Sequence, residues 1–425
     1  VKYIYQNNPN RHLIFTRQNI KFFFFLLSFL VASCLFTSNL EAKSTLSFSA
    51  LGWPVEYTGN INALKNPAKL VTSENYVRRI DELYPSYWQL GVHFERFSRK
   101  HQFTDWARVR LAFKAAKKLH PSQPKHRVFA MVLILRAMGI NAQLFNTSKG
   151  LAPDFRLGIE TDIPIYNGVM FMFKEKPFAL FDISKGQLLG RQSNYPKGYF
   201  IDLNHELNQK CRAIRLVPGY YPKFPERSKK MTRRWKFKKK SFHLSYSINP
   251  YLVEYLETYP QLELINYFNY PITENFHESV LKPLRATIEK NKFSEVEAIE
   301  FLMAFHHYAF KHKDDLKTSL GEHTNFIEET LMRKYSDCED LSVLFAAILQ
   351  GVLGYDVIGL EYPNHVSVAV HAKHVKPRGN VLSYKGKKYS EADPSYAGSK
   401  LGMVQPEFKK RTPNILPIAK LRIVK

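Results

Sequence analysis

Cysteine is scarce in this chain, with three among 425 residues: Cys34, Cys211 and Cys338. No disulfide framework can be drawn from so few. The one pairing open beyond the N-terminal segment, Cys211 with Cys338, would leave neither sulfur free for chemistry. Apolar runs of bilayer length are missing too. The run from Phe22 to Phe36 is broken by Ser28, Ser33 and Cys34 and is short for a span. Acidic side chains are outnumbered, 37 against 62 lysines and arginines, for a formal net charge of +25. There is no complete ligand loop for calcium around Asp337, Glu339 and Asp340. His371 and His374 sit three apart on an expected strand and so fall on opposite faces, which argues against a zinc pair. No cofactor is expected.

What is present reads as globular. The chain is 45% hydrophobic and 14% aromatic, and its length allows two or three domains. Residues 1–42 read as an export signal, in which Arg11, Arg17 and Lys21 precede the apolar run. Two processing readings stand open: cleavage after Ala42, or lipidation at Cys34, where Val31-Ala32-Ser33 looks like a lipobox. An uncleaved anchor is a third. Each places the protein in the periplasm or cell envelope, with membrane attachment on the last two. The first 42 residues carry four basic side chains and one acidic, so the remainder keeps +22.

The stretch with most chemical content is Tyr335-Ser336-Asp337-Cys338-Glu339-Asp340. Leu341, Leu344, Phe345, Ile348, Leu349 and Val352 follow at helical spacing, and Gly354 is a stop signal. Cys338 therefore falls in a first helical turn, where unpaired N–H groups and the helix dipole favour a thiolate. Core filling is the plainer fate for such a cysteine. Glu339 and Asp340 are expected to face the backbone donors as first-turn stabilisers; turned toward the sulfur, they would raise its pKa.

Downstream, Asp356 to Glu361 reads as a strand, Tyr362-Pro363-Asn364 as a turn, and His365 to Val370 as a second strand. A third, Lys388 to Ala392, leads into Asp393-Pro394. Nucleophile, histidine and carboxylate in this order suit a Cys-His-Asp triad, in which imidazole takes the thiol proton and the carboxylate orients the imidazole.

From Glu297 to about Gly402 the chain resembles the bacterial transglutaminase-like cysteine proteins of the papain-like superfamily. The residues carrying this are Phe305-His306-His307, Glu329-Thr330-Leu331, Asp337-Cys338-Glu339-Asp340, Leu353-Gly354-Tyr355-Asp356, Asn364-His365-Val366 and Glu391-Ala392-Asp393. The resemblance implies an α+β papain-like transglutaminase fold, with the nucleophile at a helix N-terminus packed on an antiparallel sheet. It implies Cys338 as nucleophile, His365 as general base and Asp393 as orienting acid. His307 stands where members often carry an oxyanion-hole glutamine, and Asn364 where they usually carry glycine.

Four segments are expected: the signal at 1–42, an α+β unit at 43–220, a basic strand-rich and helical connection at 221–290, and the transglutaminase-like unit at 291–425. The second segment reads as a degenerate copy of the last. Met138-Gly139-Ile140-Asn141 matches Leu353-Gly354-Tyr355-Asp356, and Phe181-Asp182-Ile183-Ser184 matches Ala392-Asp393-Pro394-Ser395. Asn167-Gly168-Val169-Met170 matches Asn364-His365-Val366-Ser367, which would put Gly168 at the base position. No cysteine stands near Gln123 and Pro124. Ser294 and Glu297 form a capping box ahead of an apolar helix, on which His306 reads as a core residue.

The basic run from Arg227 to Lys240 interleaves Trp235 and Phe237, as single-strand nucleic-acid binders do. Its alternation also fits a strand pair with one solvated basic face, and export favours an anionic envelope partner over nucleic acid. The expected function is an exported cysteine-nucleophile enzyme. It would act on amide or peptide carbonyls through a thioester, as peptidase or amidase before amine-accepting transglutaminase. The competing expectation is a non-catalytic envelope binding protein with the same fold.

Overall fold

The computed structural model describes residues 43–65, 76–147, 155–190, 197–207, 210–312 and 323–424. The expected signal and Cys34 lie outside them. In chain order, an antiparallel hairpin comes first, β1 (Ser44–Ala50) and β2 (Trp53–Gly59). After a short helix at Ile61–Lys65 come three longer ones: α1 (Tyr76–Lys100), α2 (Asp105–Leu119) and α3 (Pro124–Ala137). Next come β3 (Ala142–Asn146), β4 (Phe155–Glu160), β5 (Met170–Phe173), β6 (Lys176–Asp182) and β7 (Tyr199–Ile201). A second hairpin, β8 (Lys229–Phe237) and β9 (Lys240–Ile248), leads through short helices to α4 (Glu295–Ala309) and α5 (Cys338–Ile348). The chain closes with β10 (Asp356–Tyr362), β11 (His365–His371), β12 (Val381–Tyr384), β13 (Lys387–Ala392) and β14 (Asn414–Pro417). This is a mixed α and β protein whose two larger sheets are antiparallel, beside the two hairpins and two short parallel pairs, Ile272–Thr273 with Ile423–Val424 and Lys311–His312 with Tyr335–Ser336. Among the described residues no helix is long and apolar enough to cross a membrane.

The two sheets are wired alike. The first has strand order β5-β6-β4-β3-β7, with a short sixth strand, Gln187–Leu188, also paired to β6; the second is β12-β13-β11-β10-β14, and every neighbouring pair in both is antiparallel. Each is preceded by a helix that stops at a left-handed glycine, Gly139 at φ 78° and Gly354 at φ 73°, a conformation that costs any other residue more. Each also carries an aspartate at the end of the strand beside its central one, Asp182 closing β6 and Asp393 following β13, turned back on its own backbone. Asp182 Oδ1 accepts from the N–H groups of Ser184 (2.9 Å) and Lys185 (3.1 Å); Asp393 Oδ1 accepts from those of Ser395 (2.9 Å) and Tyr396 (3.1 Å).

One part of the internal alignment is corrected. The counterpart of β11 is β4, since each pairs on one side with the strand after the glycine and on the other with the strand ending at the aspartate. Asn167-Gly168 instead precedes the edge strand β5. Counting back from the pairs Leu157↔Phe181 and Val368↔Ala392 puts the base position at 154, outside the described residues. The connection after β3 runs from 147 to 154, whereas β10 and β11 are joined by Pro363-Asn364 alone, so counting forward from the glycine misleads.

Both units share one continuous apolar core. Between them lies an aromatic cluster of Tyr255, Tyr259, Tyr270 and Phe326. The second hairpin packs inward through Trp235, which meets Phe301 and Phe305 of α4 and is only 4% exposed. Phe237 likewise meets Phe293 and Phe301. These rings are core, not stacking platforms, which corrects their comparison with single-strand binders. Arg233 also turns inward, donating to the carbonyls of Ala309, Leu331 and Arg333.

Candidate functional site

Cys338 is the first residue of α5. Asp337 is the N-cap, its carboxylate accepting from the N–H of Asp340 at 3.2 Å, and Leu341, Leu344, Phe345 and Ile348 bury the apolar side. Ser342 Oγ donates to the Val366 carbonyl at 3.0 Å, which ties the first turns of the helix to the start of β11. The Val366 N–H faces the sulfur. Cys338 and His365 line one cavity of about 480 Å³.

The expected first-turn roles of Glu339 and Asp340 are corrected. The Asp340 carboxylate accepts from the backbone and side chain of Asn325 at 2.7 and 2.5 Å. Glu339 Oε2 accepts from the Cys338 thiol at 3.0 Å. Burial pushes the thiol's pKa up, and the charge and hydrogen bond of Glu339 push it further; the Val366 N–H works the other way without winning. These influences favour the thiol, whereas the place of Cys338 at a helix start pointed to a thiolate. A helix terminus favours the anion modestly, and desolvation with an adjacent carboxylate outweighs it. Cys211 is also a free thiol, raised by burial, with its sulfur 3.8 Å from the Arg136 carbonyl.

His365 opens β11 beside the turn at Asn364 and is buried. Its Nε2 lies 2.9 Å from Asp393 Oδ2, which leaves Nδ1 as the nitrogen available to a sulfur. The ring stacks on Phe408, with centroids 4.8 Å apart and planes at 10°. Gln405 Nε2 donates to the same Asp393 oxygen at 3.0 Å. Burial alone would raise Asp393, but the bonds from His365, Gln405 and Ser395 hold it below the ordinary carboxylate range. Gln405 and Phe408 come from a segment with no periodic or motif signal that would have marked them.

His307 is not among the residues lining the cavity. Its Nε2 lies 3.1 Å from the Asp393 backbone carbonyl, which also accepts from Ser399 Oγ at 3.0 Å, so it braces the loop behind the triad. Its neighbour His306 is buried, with Nδ1 donating to the Leu302 carbonyl at 2.8 Å. Two residues with side-chain amides line the cavity, Asn364 and Gln261, and the second is held in place by its neighbours. Gln261 Oε1 accepts from the Thr324 N–H (2.9 Å) and the Tyr267 hydroxyl (3.2 Å), and Gln261 Nε2 meets His323 Nδ1 at 2.6 Å. The N-terminal unit reaches the same cavity through Tyr166, whose N–H donates to the Gln261 carbonyl at 2.9 Å.

Charge at the cavity runs against the rest of the chain. Glu263, Asp337, Glu339 and Glu361 line it, and no lysine or arginine does among the described residues. No family model, curated protein or solved structure matches the chain.

Proposed function

We propose that the chain is a cysteine-nucleophile enzyme of the transglutaminase-like, papain-like kind, acting on amide or peptide carbonyls. The observation that carries this reading is that His365, held 2.9 Å from Asp393, lines the same cavity as a cysteine at a helix N-terminus. His365 Nδ1 takes the thiol proton, and Cys338 attacks the carbonyl carbon. The resulting oxyanion is met by the Cys338 backbone N–H and by the Gln261 amide, in the place first given to His307. Collapse breaks the C–N bond, the imidazolium protonates the leaving amine, and a thioester remains. Water or an acceptor amine then attacks it, and the thiol is restored. Hydrolysis is the preferred branch, because an acceptor amine needs binding of its own. The carboxylates of the cavity favour a cationic group near the scissile bond and disfavour an anionic one. Export to the envelope belongs to the same proposal.

A second reading has its own observation. A thiol with a raised pKa, hydrogen-bonded to Glu339, is what a non-catalytic binding protein would keep. The pH dependence of iodoacetamide labelling separates the two, measured with Cys338→Ala and His365→Ala alongside and Cys211 as internal reference. Labelling of Cys338 that exceeds Cys211 and depends on His365 supports the enzyme. Equal slow labelling of both thiols, indifferent to His365, rejects it.

A further inference from the structure

We propose that the outward face of the β8–β9 hairpin docks the protein onto an anionic lipid bilayer. The cross-strand pairs Lys230↔Ser247, Thr232↔Ser245, Arg234↔His243 and Lys236↔Ser241 alternate with the inward pairs built on Met231, Arg233, Trp235 and Phe237. Lys230, Arg234 and Lys236 therefore stand in one row, all exposed, and neither strand contains a carboxylate. At the turn, Lys238 is paired with Glu297 of α4, while Lys239 and Lys240 extend the basic edge. The face is separate from the acid-lined cavity, with which it shares no residue.

Two observations select the occupant. An open groove of about 750 Å³ lies against the hairpin, lined by the cations Arg234, Lys236, Lys238 and Lys239 together with Trp235, Phe237, Phe242 and Tyr308, the last 58% exposed. A lining of cations and aromatic rings together suits an amphiphile that carries a phosphate head on an apolar body, and an exposed tyrosine suits the headgroup level of a bilayer. A soluble polyanion has no use for the aromatic part of that lining. Single-stranded nucleic acid needs exposed ring faces, and Trp235 and Phe237 turn theirs into the core.

The test is sedimentation of the full chain with phosphatidylglycerol-containing vesicles and with pure phosphatidylcholine vesicles, at two salt concentrations. An apolar N-terminal segment would partition into both lipids alike, so the readout is the ratio between them. The expected ratio is at least about tenfold and falls with salt. The triple variant Lys230→Gln, Arg234→Gln, Lys236→Gln, at exposed positions, is expected to lower binding to the anionic vesicles on the order of 100-fold, about fivefold per charge. Tyr308→Ser is expected to weaken it by several-fold without changing the salt dependence. The turn variant Lys239→Gln, Lys240→Gln gives an independent reading should the triple variant misfold. Equal binding to both lipids, or anionic binding unchanged in the triple and turn variants, overturns the proposal. So does loss of binding to a single-stranded oligonucleotide while vesicle binding is kept, which would assign the face to nucleic acid.

Discussion

The Cys338 thiol donates to Glu339 Oε2 at 3.0 Å, so the candidate nucleophile and its next neighbour in sequence form a closed pair. Glu339 favours the protonated sulfur, a hold that the chemistry must overcome. Replacing the charge with an amide of the same shape lowers that hold, since Glu339 is the largest named contribution after burial. Glu339→Gln is expected to raise iodoacetamide labelling of Cys338 near neutral pH by about tenfold, the equivalent of one pKa unit. The check is the labelling rate against pH by mass spectrometry. A rate equal to that of the parent protein would leave burial alone in control of the sulfur.

Asp393 supports His365 from a buried site, and its own pKa lies below the ordinary value. Asp393→Asn keeps the shape but withdraws the charge that fixes the imidazole tautomer. It is expected to reduce Cys338-dependent turnover of an amide substrate by about 10³–10⁴-fold. Gln405→Ala removes a single donor to the same oxygen and is expected to cost less, about tenfold. A depressed carboxylate stabilises the fold above its unfolded pKa and loses that contribution as pH falls through the folded one. Asp393→Asn is therefore also expected to flatten the acid limb of stability, read as melting temperature against pH. An acid limb unchanged by the substitution would place the loss elsewhere.

How much of this was legible depended on whether the deciding contacts were local. The first-turn place of Cys338 and the stop at Gly354 follow from side-chain spacing and one left-handed glycine, both signals within a few residues. The strand opened by His365 and the one leading to Asp393 showed by alternation and turn residues. The direction of Glu339 is a choice of rotamer, toward the Cys338 thiol rather than the helix backbone, which adjacency in sequence does not reveal. His307 was misjudged for a related reason. Helical spacing puts it near one face of α4, but only packing decides whether that face meets the cavity or the Asp393 loop. Gln261, Gln405 and Phe408 sit outside the long periodic elements and reach the site only through tertiary contacts.

Two buried glutamates behind the site give the fold a pH dependence of the opposite sign. Burial raises Glu328 to about 7 and Glu329 to about 8. A carboxyl raised in the folded state contributes fully below its unfolded pKa, and that contribution is lost as pH rises through the folded value. Stability is therefore expected to fall between about pH 4.5 and 8. Glu328→Gln retains an acceptor for the Thr273 hydroxyl, which lies at 3.0 Å, and cannot ionise. At pH 8 it is expected to be more stable than the parent by on the order of 2 kcal/mol, with the two equal near pH 4. Urea denaturation at the two pH values measures the difference, and parallel curves across the range would count against the assignment.

The acid-lined cavity gives the proposed enzyme a charge preference that can be read without knowing its natural substrate. Peptidyl chloromethyl ketones alkylate a cysteine thiolate with loss of chloride, so the rate of Cys338 modification reports how each peptide is received. A lysyl probe is expected to react about tenfold faster than its glutamyl counterpart at low salt, the scale of one well-placed charge pair. Glu263 is exposed and Glu361 half-buried, its Oε2 held by Asn414 Nδ2 at 2.9 Å, so both belong to the walls and stand outside the triad. Glu263→Gln with Glu361→Gln is expected to bring the lysyl-to-glutamyl ratio within about twofold of unity, as high salt does in the parent. Equal rates for both probes in the parent would reject the preference while keeping Cys338 as a nucleophile. Modification by neither probe, with Cys338 reacting only after unfolding, would reject the nucleophile and the preference together.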